Sequence, residues 1–435
     1  MDRSEVPAVT SSENESGASR RQFVRRVVAA GGATALAACL DGQGRDALDA
    51  PPGSDPETLP DRQHAWNQTL PTDSDGTVGR ASHHVFLRLA LTSAPNRTDR
   101  ERVEAALRSV ERALEWGPDG VLFTLGYTPA YFNRYEQSID AVDLPDPDPI
   151  TAITAESRID VDDGDAMLHL ASEDPAVVLA VEEALFGEND SLNGHDVGET
   201  LAPVFERTNR RTGFVGSGLP ADRQTGLDGV PEGEPVPEEA PFFMGFRSGF
   251  RKSQATEDRV TIRSGPFAGG TTQHFESIEL NLDIWFDDND HEQRVARMFS
   301  PEHAAEEAVG TVGERLGAAT GATDVTDDIH DHAREHGTVG HAQKLAQARE
   351  DGEPVLLRRD VNTTEGDAAG LQFLSLQRRM SEFTAAREAM LGERFHQYGL
   401  GPRQPNGILQ YIRVRSWGSY LIPPRGSRAL PRPSQ

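Results

Sequence analysis

The sequence predicts an α+β fold in which two ferredoxin-like halves, of the dimeric α+β barrel type, pack into one globular unit. Short runs with strand-like alternation of apolar residues are separated by stretches with helical spacing. The order strand–helix–strand followed by strand–helix is typical of a ferredoxin-like unit. The element content of residues 241–430 is similar to that of residues 81–240, so we expect the two halves to have related folds.

The first half begins with a run of alternating β-forming residues. Val103, Leu107 and Val110 then recur at helical spacing, with Thr98 as the expected N-cap. Pro175 suits the first turn of a second helix. The predicted strands are residues 84–91, 121–126 and 166–171, the predicted helices are 98–116 and 175–185, and loops rich in Gly, Pro and acidic residues occupy much of 187–240.

The second half has the same kinds of element. Its apolar residues alternate in some runs and recur every three to four positions in others. The predicted strands are residues 260–263, 276–285, 355–359 and 371–376, the predicted helices are 292–298, 304–316 and 381–391, and extended structure over 408–422 closes the domain.

The N-terminal segment has the pattern of an export signal. Arg20 and Arg21 precede a small, apolar stretch that ends at the only cysteine, Cys39, as in a twin-arginine signal with a lipobox. The alternative is a transmembrane anchor, but the apolar run is shorter than the ~20 residues that span a bilayer. Residues 1–39 are therefore predicted to direct export by the twin-arginine translocase, and lipidated Cys39 to hold the protein on the extracellular face of the membrane. Residues 40–80, rich in Asp, Pro, Gly and Ser, are predicted to form a disordered tether.

The composition limits the partners. The chain has 43 basic and 70 acidic residues and a net charge of −27, which argues against nucleic acid because that ligand needs a basic surface. Lys252 and Lys344 are the only lysines. An acidic, lysine-poor surface resembles that of proteins from high-salt environments. One cysteine allows no internal disulfide.

Four histidines crowd the segment 330–341. One interpretation is a metal site, since His332 and His336 at i, i+4 can share a helix face. Another is that a single histidine serves as an axial haem ligand. The third is a solvated acidic loop with no ligand.

The order of motifs around this segment resembles that of the dye-decolorising (DyP-type) haem peroxidases over roughly residues 81–425. The motifs are Gly245-Phe246-Arg247-Ser248-Gly249, Gly269-Gly270-Thr271 opening a strand that ends near Trp285, the helix Glu292-Gln293-Arg294-Val295-Ala296-Arg297, His341, and an arginine-bearing strand eighteen residues beyond it.

The resemblance implies a site for haem b. His341 would be the proximal iron ligand and Arg359 the distal arginine, whose guanidinium would stabilise negative charge on the departing oxygen of peroxide. Asn362 would be a polar distal neighbour. Peroxide and an unknown electron donor would be the substrates, and a homo-oligomer is a further expectation. The arginines expected to meet the haem propionates are Arg247, Arg251, Arg297 and Arg358.

Two positions depart from the family pattern. Ser248 stands where the family has a distal aspartate, and a serine hydroxyl is a poor base at neutral pH. Gln410 stands where a carboxylate is expected to accept a hydrogen bond from the proximal histidine. Weak or altered peroxide chemistry is therefore expected. The alternatives are a haem-binding or electron-carrying lipoprotein without efficient peroxidase activity, and a haem-free relative that acts as a binding or structural module.

Overall fold

One sheet of antiparallel strands, with helices outside it, organises the chain. The computed structural model describes residues 48–135, 139, 142–146, 159–321, 329–401 and 405–433. The strands are β1 (His83–Leu91), β2 (Leu122–Tyr127), β3 (Asp160–Val161), β4 (Ala166–Ser172), β5 (Ser191–Leu192), β6 (His195–Asp196), β7 (Phe205–Phe214), β8 (Thr271–Leu280), β9 (Arg349–Glu350), β10 (Glu353–Pro354), β11 (Leu357–Arg358), β12 (Val361–Thr363), β13 (Gly370–Gln377) and β14 (Ile412–Ile422).

The helices of the described residues cover this sheet or connect its strands. They are α1 (Arg97–Ala113), α2 (Pro129–Phe132), α3 (Pro175–Leu185), α4 (Leu219–Arg223), α5 (Glu257–Val260), α6 (Leu282–Phe286), α7 (His291–Met298), α8 (Pro301–Ala305), α9 (Ile329–His336), α10 (His341–Leu345) and α11 (Met380–Leu391). Within the described ranges, no helix combines the length and the apolar character that crossing a bilayer requires.

The sheet closes into a barrel. Strand β1 pairs with β4 and β7, β2 with β4 and β14, β8 with β13 and β14, and β12 with β7 and β13. Strands β11 and β12 are two pieces of one strand, because Arg358 faces Ser375 and Val361 faces Gln372 in one continuous register on β13. Counted in this way, eight strands form the ring. The predicted α+β barrel class is confirmed.

The first half follows the sequence prediction closely. Helix α1 buries Val103, Leu107 and Val110 against the outer face of the barrel. Its N-cap is Asn96 and not Thr98, since the Asn96 side chain accepts from the Asp99 amide in a capping box. Helix α3 begins at Pro175, as predicted. Strand β7, with few apolar residues and many half-exposed ones, was not predicted.

Several predictions in the second half were wrong. The helix expected over 304–316 ends at Ala305, because Glu307, Gly310 and Gly313 adopt φ angles of 50°, 77° and 102° that a helix cannot continue through. The strand expected over 276–285 stops at Leu280, and a short helix follows. The strand expected at 260–263 is absent from the described structure, where Val260 instead ends helix α5.

The predicted tether is folded from residue 48 onwards. Trp66 is 1% exposed and belongs to the core of the first half. The Gln63 side chain accepts from the Leu125 amide at 2.9 Å and donates to the Pro423 carbonyl at 2.8 Å. It therefore links strand β2 to the residue that follows β14. A few anchoring residues therefore override a composition that on average predicts disorder. Residues 40–47, together with Arg20, Arg21 and Cys39, lie outside the described residues.

Candidate functional site

A large apolar cavity lies against the barrel wall in the second half. Ile278 and Leu280 on β8 and Leu371 and Phe373 on β13 form its floor, on the face of the sheet that turns away from the barrel interior. Helices α10 and α11 and the loop of residues 242–250 cover it. The cavity volume is about 230 Å³, and about 1600 Å³ when the space around the lining side chains and the open mouth are included. The apolar lining suits an apolar organic ligand.

The cavity brings together five of the residues singled out from the sequence. His341 enters from α10, Arg247 and Ser248 from the covering loop, and Arg358 and Asn362 from the barrel strand. Residues separated by more than a hundred positions therefore share one wall. The remaining candidates, Arg251, Arg297, Arg359 and Gln410, do not line it.

His341 has the protonation state that a metal ligand needs. Burial, assisted by the nearby charges of Lys344, Arg358 and Arg387, lowers the pKa of His341 to about 3, so the imidazole is neutral at physiological pH. Its Nδ1 atom is buried and has no hydrogen-bond partner among the described residues. A neutral imidazole is the form that binds metals.

The helix that carries His341 is fixed at both ends. A Cβ atom on Gly340 would lie 1.6 Å from the Phe299 carbonyl oxygen, so only glycine allows the helix to start here. One turn later, the Lys344 ammonium is fully buried and donates to Met390 O at 2.5 Å, Asn406 O at 3.0 Å and Asn406 Oδ1 at 2.7 Å. These contacts join α10 to the end of α11 and to the loop before β14.

Arg359 is not the cavity arginine. Side chains alternate across a strand, so Arg358 faces the cavity and Arg359 faces the opposite side of the sheet. The Arg358 guanidinium makes no hydrogen bond or ion pair with a described residue. It is therefore free to bind an anionic or oxygen-bearing group. The resemblance pointed to Arg359, whereas the structure places the neighbouring residue, Arg358, at the cavity wall.

The Arg359 side chain belongs to the packing of the barrel. It is 4% exposed, donates to His64 O at 2.8 Å and to Glu257 Oε1 at 2.9 Å, and stacks 4.3 Å from the centre of the Trp66 ring. An arginine bound in this way anchors the segment before β1.

Of four more candidates, three lie outside the cavity and one lies at its rim. Arg251 is exposed, and Arg297 donates to Asn289 Oδ1 at 2.6 Å outside the cavity. Arg247 reaches the cavity rim but forms an ion pair with Asp73 at 2.7 Å. Gln410 lies in the turn before β14 and does not bond His341, whose Nδ1 has no partner in the described structure.

Asn362 has a structural role at the cavity wall. Its Oδ1 accepts from the Phe243 amide at 3.0 Å, and its Nδ2 donates to Phe214 O at 3.1 Å and Pro241 O at 2.9 Å. These bonds tie the covering loop to the barrel strand. The side chain has little hydrogen-bonding capacity left for a ligand.

The sequence did not reveal three charged residues of the wall, Glu276, Asp360 and Arg387. Although burial raises the pKa of Glu276, the charge of Arg387 and the hydrogen bond from His274 lower it to about 2, so this carboxylate stays ionised. Arg387 forms an ion pair with Glu276, and its buried Nε has no hydrogen-bond partner. The available signal for Glu276 was its position in a predicted strand next to Phe275, since a buried acid needs a partner.

The multi-histidine metal site is not found. His332 Nδ1 accepts from the Gln343 side-chain amide at 2.9 Å, and His330 contacts the Tyr398 hydroxyl at 3.2 Å. The His332 and His336 rings are 5.7 Å apart, but within the described ranges no group of three or more His, Cys, Asp or Glu side chains is arranged to hold a metal ion.

The closed barrel and its cavity define the chain as an α+β barrel protein with the fold of DyP-type peroxidases. DtpA from Streptomyces lividans, solved as an oxyferrous complex, aligns with a TM-score of 0.57 and 16% identity over 90% of this chain and 100% of its own. A dye-decolorizing peroxidase from Bacteroides thetaiotaomicron aligns with a TM-score of 0.49 and 14% identity over 83% of this chain and 98% of its own.

The sequence comparison identifies the family. Residues 81–424 match the family described as "Family of unknown function (DUF7405)", and the chain belongs to it. A comparison with curated protein sequences gives no significant match.

Proposed function

We propose that the cavity binds haem with His341 as the axial iron ligand, and that the protein catalyses peroxidase-type oxidation of an electron donor. The observation that carries this proposal is the neutral imidazole of His341 in the wall of an apolar cavity, with a buried nitrogen that has no hydrogen-bond partner among the described residues. The DtpA structure, which shares the fold, is described as oxyferrous.

The other wall residues fit the same ligand. The apolar floor formed by Ile278, Leu280 and Phe373 suits a porphyrin ring, which is flat and largely apolar. The guanidinium group of Arg387 suits a carboxylate substituent, because arginine binds planar carboxylates in a bidentate manner, and Arg358 is a second cation of the wall. The donor set is therefore one imidazole, two cations and an apolar surface.

The protein residues would act on the peroxide rather than on the haem. When bound, haem supplies an iron centre that accepts oxidising equivalents from peroxide. Arg358, which has no ion-pair partner, would hold a peroxide oxygen and stabilise negative charge that develops on it. Lys344 and Gly340 keep His341 fixed, so that little ordering is needed on binding. The apolar lining excludes water from the reacting oxygen atoms.

Haem titration of the purified protein tests the first step. We expect a Soret band in the wild type, its loss in His341→Ala, and its retention in His336→Ala, a matched control because His336 is exposed and outside the cavity wall. A wild type that develops no Soret band with excess haem refutes the haem proposal. An unchanged band in His341→Ala refutes the ligand assignment alone.

The second candidate function is haem binding or electron transfer without efficient peroxidase activity. Ser248 favours it, because this cavity residue cannot hold the negative charge of a carboxylate. Stopped-flow mixing of the haem-loaded protein with hydrogen peroxide separates the two functions. Rapid spectral change with turnover of an artificial donor supports the peroxidase. Reversible reduction with no response to peroxide supports the electron carrier.

We also propose that the protein is exported by the twin-arginine translocase and anchored by lipid on Cys39. The support is the sequence pattern of Arg20, Arg21 and Cys39. Cell fractionation tests it. The double variant Arg20→Lys, Arg21→Lys should remain inside the cell, whereas Cys39→Ala should be exported and released. Normal surface location of the double variant would refute the route.

A further inference from the structure

We propose that Asp360 is the proton-accepting carboxylate of the cavity, in the role that Ser248 cannot perform. The proposal rests on the proposed function, because the proton would come from peroxide bound in the same cavity. Asp360 lies between β11 and β12, on the wall that also carries Arg358 and Asn362. The loop with Ser248 lies against the same group of residues.

The Asp360 carboxylate has unused hydrogen-bonding capacity. Asp360 is 5% exposed, and its Oδ1 atom is buried with no hydrogen-bond partner in the described structure. Oδ2 lies 3.9 Å from Arg80 Nη2, which is an ion-pair distance but too long for a hydrogen bond. A buried carboxylate oxygen without a partner is costly unless a ligand or proton meets it.

The other cavity acid cannot take this role. Glu276 and Asp360 are the two carboxylates among the described residues of the wall. Glu276 is held ionised by Arg387 and His274, and its low pKa makes it a weak base. Burial raises the pKa of Asp360, although Arg358 and Arg80 oppose this rise. A carboxylate with a raised pKa is the better proton acceptor at neutral pH.

Charged groups reach Asp360 from two of the elements packed around it. Arg358 comes from its own strand, and Arg80 comes from the segment before β1. Strand β13 presents the Leu374 backbone, and the covering loop brings Gly249 close to the Arg80 guanidinium. The positive charges of Arg80 and Arg358 offset part of the cost of burying the Asp360 carboxylate. Its Oδ1 atom has no hydrogen-bond partner among the described residues and can accept a proton.

The proposed step is a proton transfer. An O–H bond of hydrogen peroxide breaks, its electron pair stays on the peroxide oxygen, and an O–H bond forms on Asp360 Oδ1. The guanidinium of Arg358, two residues away on the same face, stabilises the negative charge left on the peroxide. No oxidant or reductant is needed for this step.

The test combines a structural readout with kinetics. Infrared spectra of the haem-free protein, wild type minus Asp360→Asn, should show a carboxyl band that titrates above the ordinary aspartate pKa of ~3.9. In the haem-loaded protein, Asp360→Asn should keep the Soret band but react with peroxide ~10²-fold or more slowly and lose the acid limb of its pH profile. Asp360→Glu should restore most of the rate, and Asp288→Asn, a control at an exposed aspartate outside the cavity wall, should change it less than about threefold.

The outcomes separate this proposal from the one on which it rests. No Soret band in the wild type overturns both. A Soret band with an unchanged peroxide rate and pH profile in Asp360→Asn overturns the role of Asp360 alone, and leaves it as a counter-ion of Arg80. Where Asp360→Asn does not fold, the rate of Asp360→Glu and the infrared titration of the wild type against Asp360→Glu decide. A carboxyl that titrates at or below the ordinary value refutes the proposal.

Discussion

Replacement of Arg359 by methionine should destabilise the fold and leave the cavity intact. Methionine keeps much of the side-chain volume but removes the guanidinium that bonds His64 O and Glu257 Oε1. It also removes the cation that stacks on the Trp66 ring at 4.3 Å. The segment before β1 then loses a principal attachment to the barrel.

The contacts of Arg359 set the size of the effect. Removal of one partner from a buried ion pair costs ~3–5 kcal/mol, and the loss of a desolvated cation–π contact adds up to ~2 kcal/mol. Glu257 still accepts hydrogen bonds from the amides of Trp66 and Asn67 at 2.7 and 2.9 Å, so its carboxylate keeps two partners in the variant. We therefore expect Arg359→Met to lower the free energy of unfolding by about 3–5 kcal/mol.

Urea denaturation followed by tryptophan fluorescence measures this change, with Arg358→Met as the matched control. Arg358 has no ion pair with a described residue, so its loss should change stability by less than ~1 kcal/mol while lowering haem affinity. Arg359→Met should bind haem as the wild type does under conditions where it is folded. A stable Arg359→Met with weakened haem binding would restore the original assignment of the distal arginine and refute the placement of these two side chains.

Three other results are expected. Burial lowers the pKa of His84 to about 3 and lowers the pKa of His169 well below its ordinary value, so both are neutral in the fold. Stability should therefore fall as pH drops from 6.5 towards 3, by up to ~1.4 kcal/mol per pH unit for each histidine, and urea titrations of wild type and His84→Gln should differ in this slope. Trp66→Ala should cost ~3–5 kcal/mol and open residues 48–80 to limited proteolysis, whereas a free tether would show neither change. Lys344→Met should weaken haem binding at equilibrium by freeing α10, and an unchanged affinity would contradict the anchoring role of the ammonium.

The sequence was most informative where periodicity and caps agree. Helix α1 and helix α3 begin within two residues of their predicted starts, because an apolar stripe and a capping residue both point to the same boundary. Alternation and β-forming residues located three barrel strands of the first half, β1, β2 and β4, but not β7. His341 was identified from the order of motifs around it, and the structure brings it to the cavity wall.

Predictions based on average composition failed. Residues 48–80 have the acidic, proline-rich composition of a linker, yet Trp66 and Gln63 fix them to the barrel. Folding depends on which atoms find partners, and a few residues with large buried surface can outweigh many polar ones. The predicted helix over 304–316 failed for the related reason that two glycines decide the backbone locally.

Arg358 and Arg359 show which part of the site could be predicted from the sequence and which part could not. Residues 357 to 362 read Leu-Arg-Arg-Asp-Val-Asn, and strand alternation places Leu357, Arg359 and Val361 on one face. Two apolar neighbours assign that face to the barrel interior, so alternation alone favours Arg358, Asp360 and Asn362 for the cavity. The resemblance to DyP-type peroxidases pointed to this strand but did not indicate which of its two faces lines the cavity. A one-residue shift moves every side chain to the other side of a sheet, so motif order at low identity can locate a strand at the cavity wall without identifying which of its side chains line the cavity.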